Sequence, residues 1–139
     1  MKEVYIIGNG VAGSTLALNL SATDSFRVHL ISDESDFFYS RTALMYLYMG
    51  HLTAQQTEPY ERNHWEKSGV NRIRGRVFAL DRNAKTLAFR DVEGNTHQKT
   101  YDILVLAMGS LPRFLDWPNS TLTGVSGLYH LKDLEAIEA

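Results

Sequence analysis

A glycine-rich loop near the amino terminus has residue types and spacing that suit phosphate binding. The hexapeptide Gly8-Asn9-Gly10-Val11-Ala12-Gly13 directly follows the apolar run Val4–Ile7. In such a loop Gly8 allows a tight turn, Gly10 lets a pyrophosphate approach the backbone, and Gly13 lets the next helix pack close to the sheet. The amino terminus of that helix offers unpaired N–H groups and a partial positive charge. All six residues are therefore predicted to form a dinucleotide site, the alternative being a glycine-rich turn without a ligand.

Two carboxylates follow the second predicted strand, Arg27–Ile31, and could bind the hydroxyls of a ribose. Asp33 lies 20 residues after Gly13, close to the separation seen between glycine loop and ribose-binding acid. Glu34 could serve equally, whereas Ser32 stands at the position directly after the strand. We favour Asp33, and a solvated acidic turn is the alternative. No basic residue replaces the acid, so a 2′-phosphate has no obvious partner.

The elements that must position these residues alternate between strands and helices. The run Val4–Ile7 is typical of a parallel strand buried on both faces, and Ser14–Ser21 carries apolar residues at helical spacing. With Arg27–Ile31 they form one right-handed βαβ unit. Short helices are predicted at Thr42–His51 and Pro59–Lys67, and a further helix begins at Lys132 and runs to Ala139.

The second half of the chain is expected to leave the parallel sheet and return to it. Three segments at strand spacing, separated by turn-like residues, predict an antiparallel β-meander, and a buried apolar run then brings the chain back. These segments are Asn71–Leu80, Thr86–Asp91, His97–Tyr101 and the returning run Ile103–Ala107. Residues 114–129 are loop-like. The sequence thus predicts a three-layer, Rossmann-like α/β domain with a parallel sheet and a β-meander crossover.

Composition excludes several classes of function. The 139 residues predict one domain, and 14 basic against 16 acidic side chains give no electrostatic reason to expect nucleic acid or an anionic membrane. The absence of cysteine excludes a disulfide, an iron–sulfur cluster and a redox dithiol within this chain. The five histidines have no metal-ligand spacing, so no metal is expected. No targeting segment or membrane-spanning run is apparent, which makes a cytoplasmic protein the default.

Three further segments resemble one enzyme family. They are Tyr39–Leu44 (YSRTAL), Leu104–Arg113 (LVLAMGSLPR) and Gly124–Leu134. In this order after a glycine loop they resemble the FAD-dependent pyridine nucleotide-disulfide oxidoreductases. The branch with ferredoxin and rubredoxin reductases, nitrite reductase flavin domains, NADH oxidases and apoptosis-inducing-factor-like proteins is the most similar. The resemblance covers the whole chain, although the family usually has threonine in place of Met108.

The resemblance implies FAD as cofactor and assigns further residues to it. The glycine loop and Asp33 would hold the pyrophosphate and adenosine, and the backbone of Arg76-Val77 would pair with the adenine edge. Ala107-Met108-Gly109 would pass near the ribityl-phosphate region. Arg41 would bring positive charge near the flavin or pyrophosphate, a surface salt bridge being the alternative. Adjoining positions in these motifs complete the expected FAD site: Thr42 and Arg113.

Departures from the family pattern narrow the expected chemistry. Thr42 falls where the disulfide reductases carry a redox cysteine, so thiol-based reduction is not expected. Tyr46 takes the place of a lysine found in ferredoxin-reductase-like members. The segment Thr42–His51 would then flank the flavin with Met45, Tyr46, Tyr48 and Met49, although we favour the two methionines as core residues.

The expected function is that of the FAD-binding portion of an NAD(P)H-dependent flavin oxidoreductase. In the family, hydride passes from the nicotinamide to flavin N5, and electrons then pass to a small-molecule or protein acceptor. The family architecture implies that residues 1–139 are the N-terminal part of an FAD/NAD(P)-binding domain, truncated before the NAD(P)H domain, of a protein that could be a homodimer. The alternatives are a stand-alone dinucleotide-binding module without turnover and a NAD-linked Rossmann enzyme.

Overall fold

The computed structural model describes residues 1–113 and 116–138. The chain divides into two compact units. The first comprises Met1–Phe38 and Tyr60–Gly109, and the second comprises Tyr39–Pro59 and Ser110–Ala139. The glycine loop, the acidic pair and all six strands lie in the first unit.

The regular elements follow the predicted order. The strands are β1 (Lys2–Ile7), β2 (Phe26–Ser32), β3 (Asn71–Asp81), β4 (Thr86–Asp91), β5 (Thr96–Thr100) and β6 (Ile103–Leu106). The helices are α1 (Val11–Ser21), α2 (Leu44–Tyr48), α3 (Arg62–Lys67) and α4 (Leu131–Glu138), and two 3₁₀ turns occupy Arg41–Ala43 and Ala54–Thr57.

The strands of the first unit form one six-stranded sheet in the order β5-β4-β3-β2-β1-β6. Strands β2, β1 and β6 are parallel, as expected for the βαβ unit and for the returning run. Strand β3 belongs to both halves of the sheet: residues 71–74 pair in parallel with β2, and residues 75–81 pair antiparallel with β4. The predicted β-meander is therefore confirmed.

The apolar alternation of β1 and β2 separates two cores on opposite faces of the sheet. On one face Val4, Ile6, Val28 and Leu30 pack with Ala17 of α1 and Trp65 of α3. On the other face Tyr5 and Ile31 pack with Leu87 and Phe89 of the meander strand β4. Helices, parallel strands and meander thus form three layers, which confirms the predicted fold class.

A buried histidine, His29, lies on β2 within the parallel sheet. Its ring stacks on Tyr5, with the ring centres 4.3 Å apart. Nε2 lies 2.7 Å from a carboxylate oxygen of Glu3, and Nδ1 lies 2.9 Å from the amide nitrogen of Asn71. His29 is therefore a core histidine with both ring nitrogens satisfied.

Two predictions about local structure need correction in detail. The helix expected at Thr42–His51 is present but shorter, as a 3₁₀ turn that continues into the five-residue α2, and Gly50 with φ +72 lies just beyond its end. The run Ile103–Ala107 is predicted to be fully buried, but β6 is an edge strand of the sheet and Ile103 is 38% exposed. Leu106 is accordingly 55% exposed.

The second unit has its own small core and a capped helix. Tyr39, Leu44 and Leu134 are buried together. The carboxylate of Asp133 accepts hydrogen bonds from the backbone N–H groups of Tyr129 and His130 at 2.9 and 2.7 Å. Burial alone would raise the pKa of Asp133, but these hydrogen bonds outweigh it and lower the pKa. Of the segment predicted to be loop, residues 116–129 contain no helix or strand, and residues 114–115 lie outside the described residues, as does Ala139.

A pair of alanine substitutions tests how the glycine loop is packed. A Cβ at Gly13 would collide with the carbonyl oxygen of Gly8, whereas a Cβ at Gly10 would have no atom within 4 Å. We expect Gly13→Ala to lower the free energy of unfolding by about 1–3 kcal/mol. Gly10→Ala is the matched control and should change it little. Chemical denaturation measures both, and equal effects of the two variants would contradict this packing.

Candidate functional site

The glycine loop is held in place by three hydrogen bonds from different elements. The backbone N–H of Gly8 donates to the carbonyl oxygen of Ile31 at 2.8 Å. The Ser14 hydroxyl donates to the carbonyl oxygen of Asn9 at 2.8 Å, and the Asn9 side-chain amide donates to the carbonyl oxygen of Ser35 at 2.8 Å. The loop is thus fixed between β2, α1 and the segment after β2.

Packing of the chain requires a glycine at two of the three glycine positions of the loop, but not at the third. Gly8 has φ +105, and a Cβ there would collide with the carbonyl oxygen of Ala107. Gly13 lies against the Gly8 carbonyl, so both glycines are required by the packing of the chain itself. Gly10 has φ −68 and ψ −173, which any residue adopts, and open space where its Cβ would be. Nothing within the described part of the chain requires a glycine at position 10.

The amino terminus of α1 faces this open space with unpaired donors. The first helical hydrogen bond runs from the Ser14 N–H to the Gly10 carbonyl oxygen, at 2.9 Å. The N–H groups of Val11, Ala12 and Gly13 precede it, and no side chain of the described residues caps this helix. Free N–H groups at a helix amino terminus favour an anion.

The turn after β2 contains the predicted ribose-binding carboxylates, Asp33 and Glu34. Ser32, the last residue of β2, is buried, and its hydroxyl oxygen accepts hydrogen bonds from the N–H groups of Glu34 and Ser35 at 3.2 and 3.4 Å. This turn leaves the Asp33 side chain exposed and the Glu34 side chain half-buried. Ser32 therefore shapes the turn that carries Asp33 and Glu34.

Asp33 and Arg76, both predicted for the site, line the same groove. The groove has a volume of about 710 Å³ and lies between the end of β2 and the β3–β4 pair. Its lining is Asp33, Gly75, Arg76, Phe78, Arg90, Asp91 and Val92. The fold thus brings the predicted ribose-binding acid next to the predicted adenine-binding backbone.

A second cavity connects the glycine loop with β3. It has a volume of about 290 Å³, and Asn9, Ser32 and Arg74 are among its lining residues. The Nη1 atom of Arg74 is buried without a hydrogen-bond partner among the described residues, and Nε lies 3.7 Å from a carboxylate oxygen of Asp36. An unsatisfied buried donor of this kind suits a ligand that supplies an acceptor.

The end of β6 lies against the glycine loop. The Ala107 N–H donates to the Ile7 carbonyl oxygen at 2.8 Å, and the Ala107 carbonyl abuts Gly8. Met108 is 66% exposed, and Gly109 turns the chain with φ +70.

Three predicted site residues belong to the second unit. The guanidinium of Arg41 donates to the Tyr129 carbonyl oxygen at 2.8 Å and to the Tyr39 hydroxyl at 3.1 Å. It lies 4.6 Å from the centre of the Tyr129 ring, an attractive cation–π geometry. The Thr42 hydroxyl lies 2.9 Å from that of Ser40, and Arg113 is exposed.

The expectation that Met45 and Met49 are core residues is wrong. Their side chains are 60% and 54% exposed, and Tyr46 and Tyr48 are exposed to a similar extent. Because α2 has only five residues and buries Leu44 alone, the other apolar side chains of this short helix remain outside the core of the second unit.

Sequence reasoning missed Ser35, Arg74 and Arg90. Ser35 holds the loop through its backbone carbonyl oxygen, which every residue type has, so the sequence could not indicate this contact. Arg74 reaches the cavity beside Asn9 through the parallel pairing of β3 with β2, which the sequence pattern does not specify. Arg90 enters the groove only through the register of β3 with β4, which the sequence does not reveal.

Comparisons with known proteins assign the chain to a family. The sequence profile of the family described as pyridine nucleotide-disulphide oxidoreductase matches residues 2–139. The chain belongs to this family. This confirms the membership predicted from the glycine loop and the three later segments.

Relatives of the chain include reductases of dioxygenase systems. It is 36% identical over 126 residues to the ferredoxin reductase component of chlorobenzene dioxygenase from a Cupriavidus strain, an alignment covering 88% of this chain and 30% of the relative. It is 32% identical over 138 residues to the ferredoxin–NAD(+) reductase subunit of the benzene 1,2-dioxygenase system of Pseudomonas putida, covering 98% and 33%. The chain thus spans about a third of each relative.

A solved structure shows the same fold. The ferredoxin reductase for the CYP199A2 system of Rhodopseudomonas palustris superposes with a TM-score of 0.79 at 26% identity, covering 99% of this chain and 33% of that one. Among residues 1–113 and 116–138, no group of histidine, aspartate and glutamate side chains could hold a metal ion. None of the helices described here is long and apolar enough to cross a membrane.

The groove contains one carboxylate with a strongly shifted pKa. Asp91 accepts hydrogen bonds from His97 Nε2 at 2.7 Å and from the N–H groups of Asn95 and Glu93 at 2.9 and 3.0 Å. The hydrogen bond from His97, followed by those from Asn95 and Glu93, lowers the pKa of Asp91 to about 2. Asp91 therefore stays ionised and holds the β4–β5 turn.

The pH dependence of stability tests this role of Asp91. Because the folded state lowers its pKa below the ordinary value of 3.8, its contribution is present above that value and is lost as pH falls towards 2. The free energy of unfolding of the wild type should fall over this range, and more steeply than that of Asp91→Asn. Parallel pH profiles for the two proteins would show that Asp91 is not stabilised as described.

Proposed function

We propose that this chain forms the part of an NAD(P)H-dependent flavin oxidoreductase that binds the pyrophosphate and adenosine of FAD. In this proposal residues 1–139 are the N-terminal part of an FAD/NAD(P)-binding domain. The proposal rests on family membership together with the geometry of the first unit.

The observation that carries the proposal is the open space at Gly10. Gly8 and Gly13 are explained by contacts within the chain, but Gly10 has neither a special backbone conformation nor a close neighbour. That space lies beside the uncapped N–H groups of Val11 and Ala12. A pyrophosphate would fill the space and accept hydrogen bonds from these groups, which explains a glycine there.

The adenosine would continue from the glycine loop along the carboxyl end of the sheet. The parallel pairing of β3 with β2 ends at Arg74, opposite Ser32. Beyond it, the β2-facing edge of β3 has no strand partner among the described residues. Backbone groups of Arg76-Val77 that point to this edge could pair with adenine, and Asp33 at the same groove could accept hydrogen bonds from the ribose hydroxyls.

The chain's own contribution is to bind and orient the cofactor. When bound, FAD supplies hydride acceptance at N5 and electron transfer to an acceptor. No cysteine is present in this chain, so we propose that it contributes no thiol to the reaction. Arg41, which contacts Tyr39 and Tyr129 within the second unit, would bring positive charge to the flavin or pyrophosphate, and Ala107-Met108-Gly109 would pass near the ribityl-phosphate region.

The whole protein's electron acceptor is proposed from its relatives. Because two of them are reductases that act with ferredoxin in dioxygenase systems, we propose a ferredoxin-type protein as acceptor. A homodimeric assembly and a cytoplasmic location remain predictions from the sequence.

A comparison of wild type with Gly10→Val tests the proposed FAD site. The wild type should bind FAD, seen as quenching of flavin fluorescence and as a rise in melting temperature. In Gly10→Val the added side chain fills the pyrophosphate space, so binding should weaken by at least about a hundredfold, or ~2.7 kcal/mol.

The control for this experiment is stability without cofactor. Gly10→Val should still fold cooperatively and lose at most about 1 kcal/mol of stability, because the space around its Cβ is open and valine is only a poorer N-cap than glycine. A folded Gly10→Val variant with unchanged FAD affinity would place the cofactor away from the glycine loop. A wild type that binds no FAD would overturn the proposed function for this chain.

A further inference from the structure

A pair of arginines faces each other across strands β3 and β4 at the groove that contains Asp33. Arg76 and Arg90 are direct cross-strand partners, and both side chains are exposed. Like charges in this position normally destabilise a sheet. Within the part of the chain that the structure describes, neither guanidinium has an ion-pair partner. The pair is therefore costly to the free protein and available to a ligand.

A β-bulge places an aromatic ring beside this pair. The register of β3 with β4 shifts between Val77 and Ala79, so Phe78 is the extra residue. Its ring is 55% exposed, and the Arg90 guanidinium lies 5.9 Å from the ring centre. Bulges commonly redirect side chains next to binding sites. Phe78 and Arg90 thus place an aromatic ring and a guanidinium next to each other among the residues that line the groove.

The net charge of the groove lining indicates which part of a ligand would bind beside Phe78 and Arg90. Its lining contains two arginines, Arg76 and Arg90, and two aspartates, Asp33 and Asp91, so its formal charge is zero. A second phosphate would be repelled by the exposed Asp33 carboxylate. A neutral, flat heterocycle attached to a ribose meets no such repulsion, and aromatic and guanidinium planes bind heterocycles by stacking.

We propose that Arg90 and Phe78 form a stacking platform for the adenine ring and thereby determine specificity for the adenosine half of the cofactor. This inference rests on the proposed function. Arg76 sets the position of Arg90 through cross-strand repulsion and offers its backbone to the adenine edge. The platform comes from the meander strands, outside the βαβ unit that carries the glycine loop.

The inference is tested with ligands that contain or lack adenosine. By titration calorimetry, Arg90→Ala should weaken binding of ADP and FAD about tenfold, and Phe78→Ala should have a similar effect. Binding of inorganic pyrophosphate and FMN, which lack adenine, should not change. Arg82→Ala removes an exposed arginine from the β3–β4 turn and is the matched control, with no expected effect on any of the four ligands.

A lysine variant separates stacking from charge. Arg90→Lys keeps the positive charge but loses the planar guanidinium. It should bind ADP as weakly as Arg90→Ala does. Full affinity in Arg90→Lys, or tighter binding of adenosine 2′,5′-bisphosphate than of ADP by the wild type, would show that the pair binds phosphate and would overturn the platform.

Stability without ligand separates a binding role from a structural one. Because Arg90→Ala relieves the repulsion from Arg76, its ligand-free melting temperature should equal or exceed that of the wild type. A lower melting temperature would assign Arg90 a structural role and contradict the inference. If the wild type binds FAD but all variants bind it equally, the platform is wrong while the proposed function stands. If the wild type binds neither FAD nor ADP, the proposed function itself fails.

Discussion

The close approach of helix α1 to the glycine loop is the contact on which the rest of the first unit depends. The backbone of Gly13 lies directly against the Gly8 carbonyl, and Gly8 in turn lies against the Ala107 carbonyl at the end of β6. No side chain fits at either contact. This stack of backbone groups joins β1, α1 and β6 at the carboxyl end of the parallel strands. Of the three loop glycines, Gly10 alone has no close contact among the described residues that would require a glycine, which points to a ligand.

The same edge of the sheet gathers residues that are far apart in the sequence. The parallel pairing of β3 with β2 ends at Arg74, and the strand then continues into the meander. Beyond Arg74 the edge of β3 that faced β2 has no strand partner within the described part of the chain, and this part of the strand lines the same groove as Asp33. A ligand extending from the glycine loop would therefore pass an exposed carboxylate, an open strand edge and an aromatic–guanidinium surface in turn. The groove lining contains two positive and two negative side chains, so its net charge is zero. Such a lining suits a molecule with a flat base and a polyhydroxylated sugar better than it suits a free anion.

Much of this arrangement could be predicted from the sequence, since local patterns determine it. The glycine spacing, the apolar run of β1 and the strand-length segments of the meander each reflect a short-range constraint, and the family resemblance connected them in the right order. Contacts between residues far apart in the sequence could not be predicted from these local patterns. Arg90 faces Arg76 because of strand register and a bulge at Phe78, neither of which has a sequence signature. The exposure of Met45 and Leu106 depends on what packs beside α2 and β6, which periodicity cannot show.

The most direct test of the central claim is a crystal structure of this chain with ADP, because it locates the pyrophosphate relative to Gly10. We predict phosphate oxygens within about 3 Å of the backbone nitrogens of Val11 and Ala12, with no side chain between the pyrophosphate and the Cα atom of Gly10. Pyrophosphate density at another place, with the space beside Gly10 still open, would contradict the account.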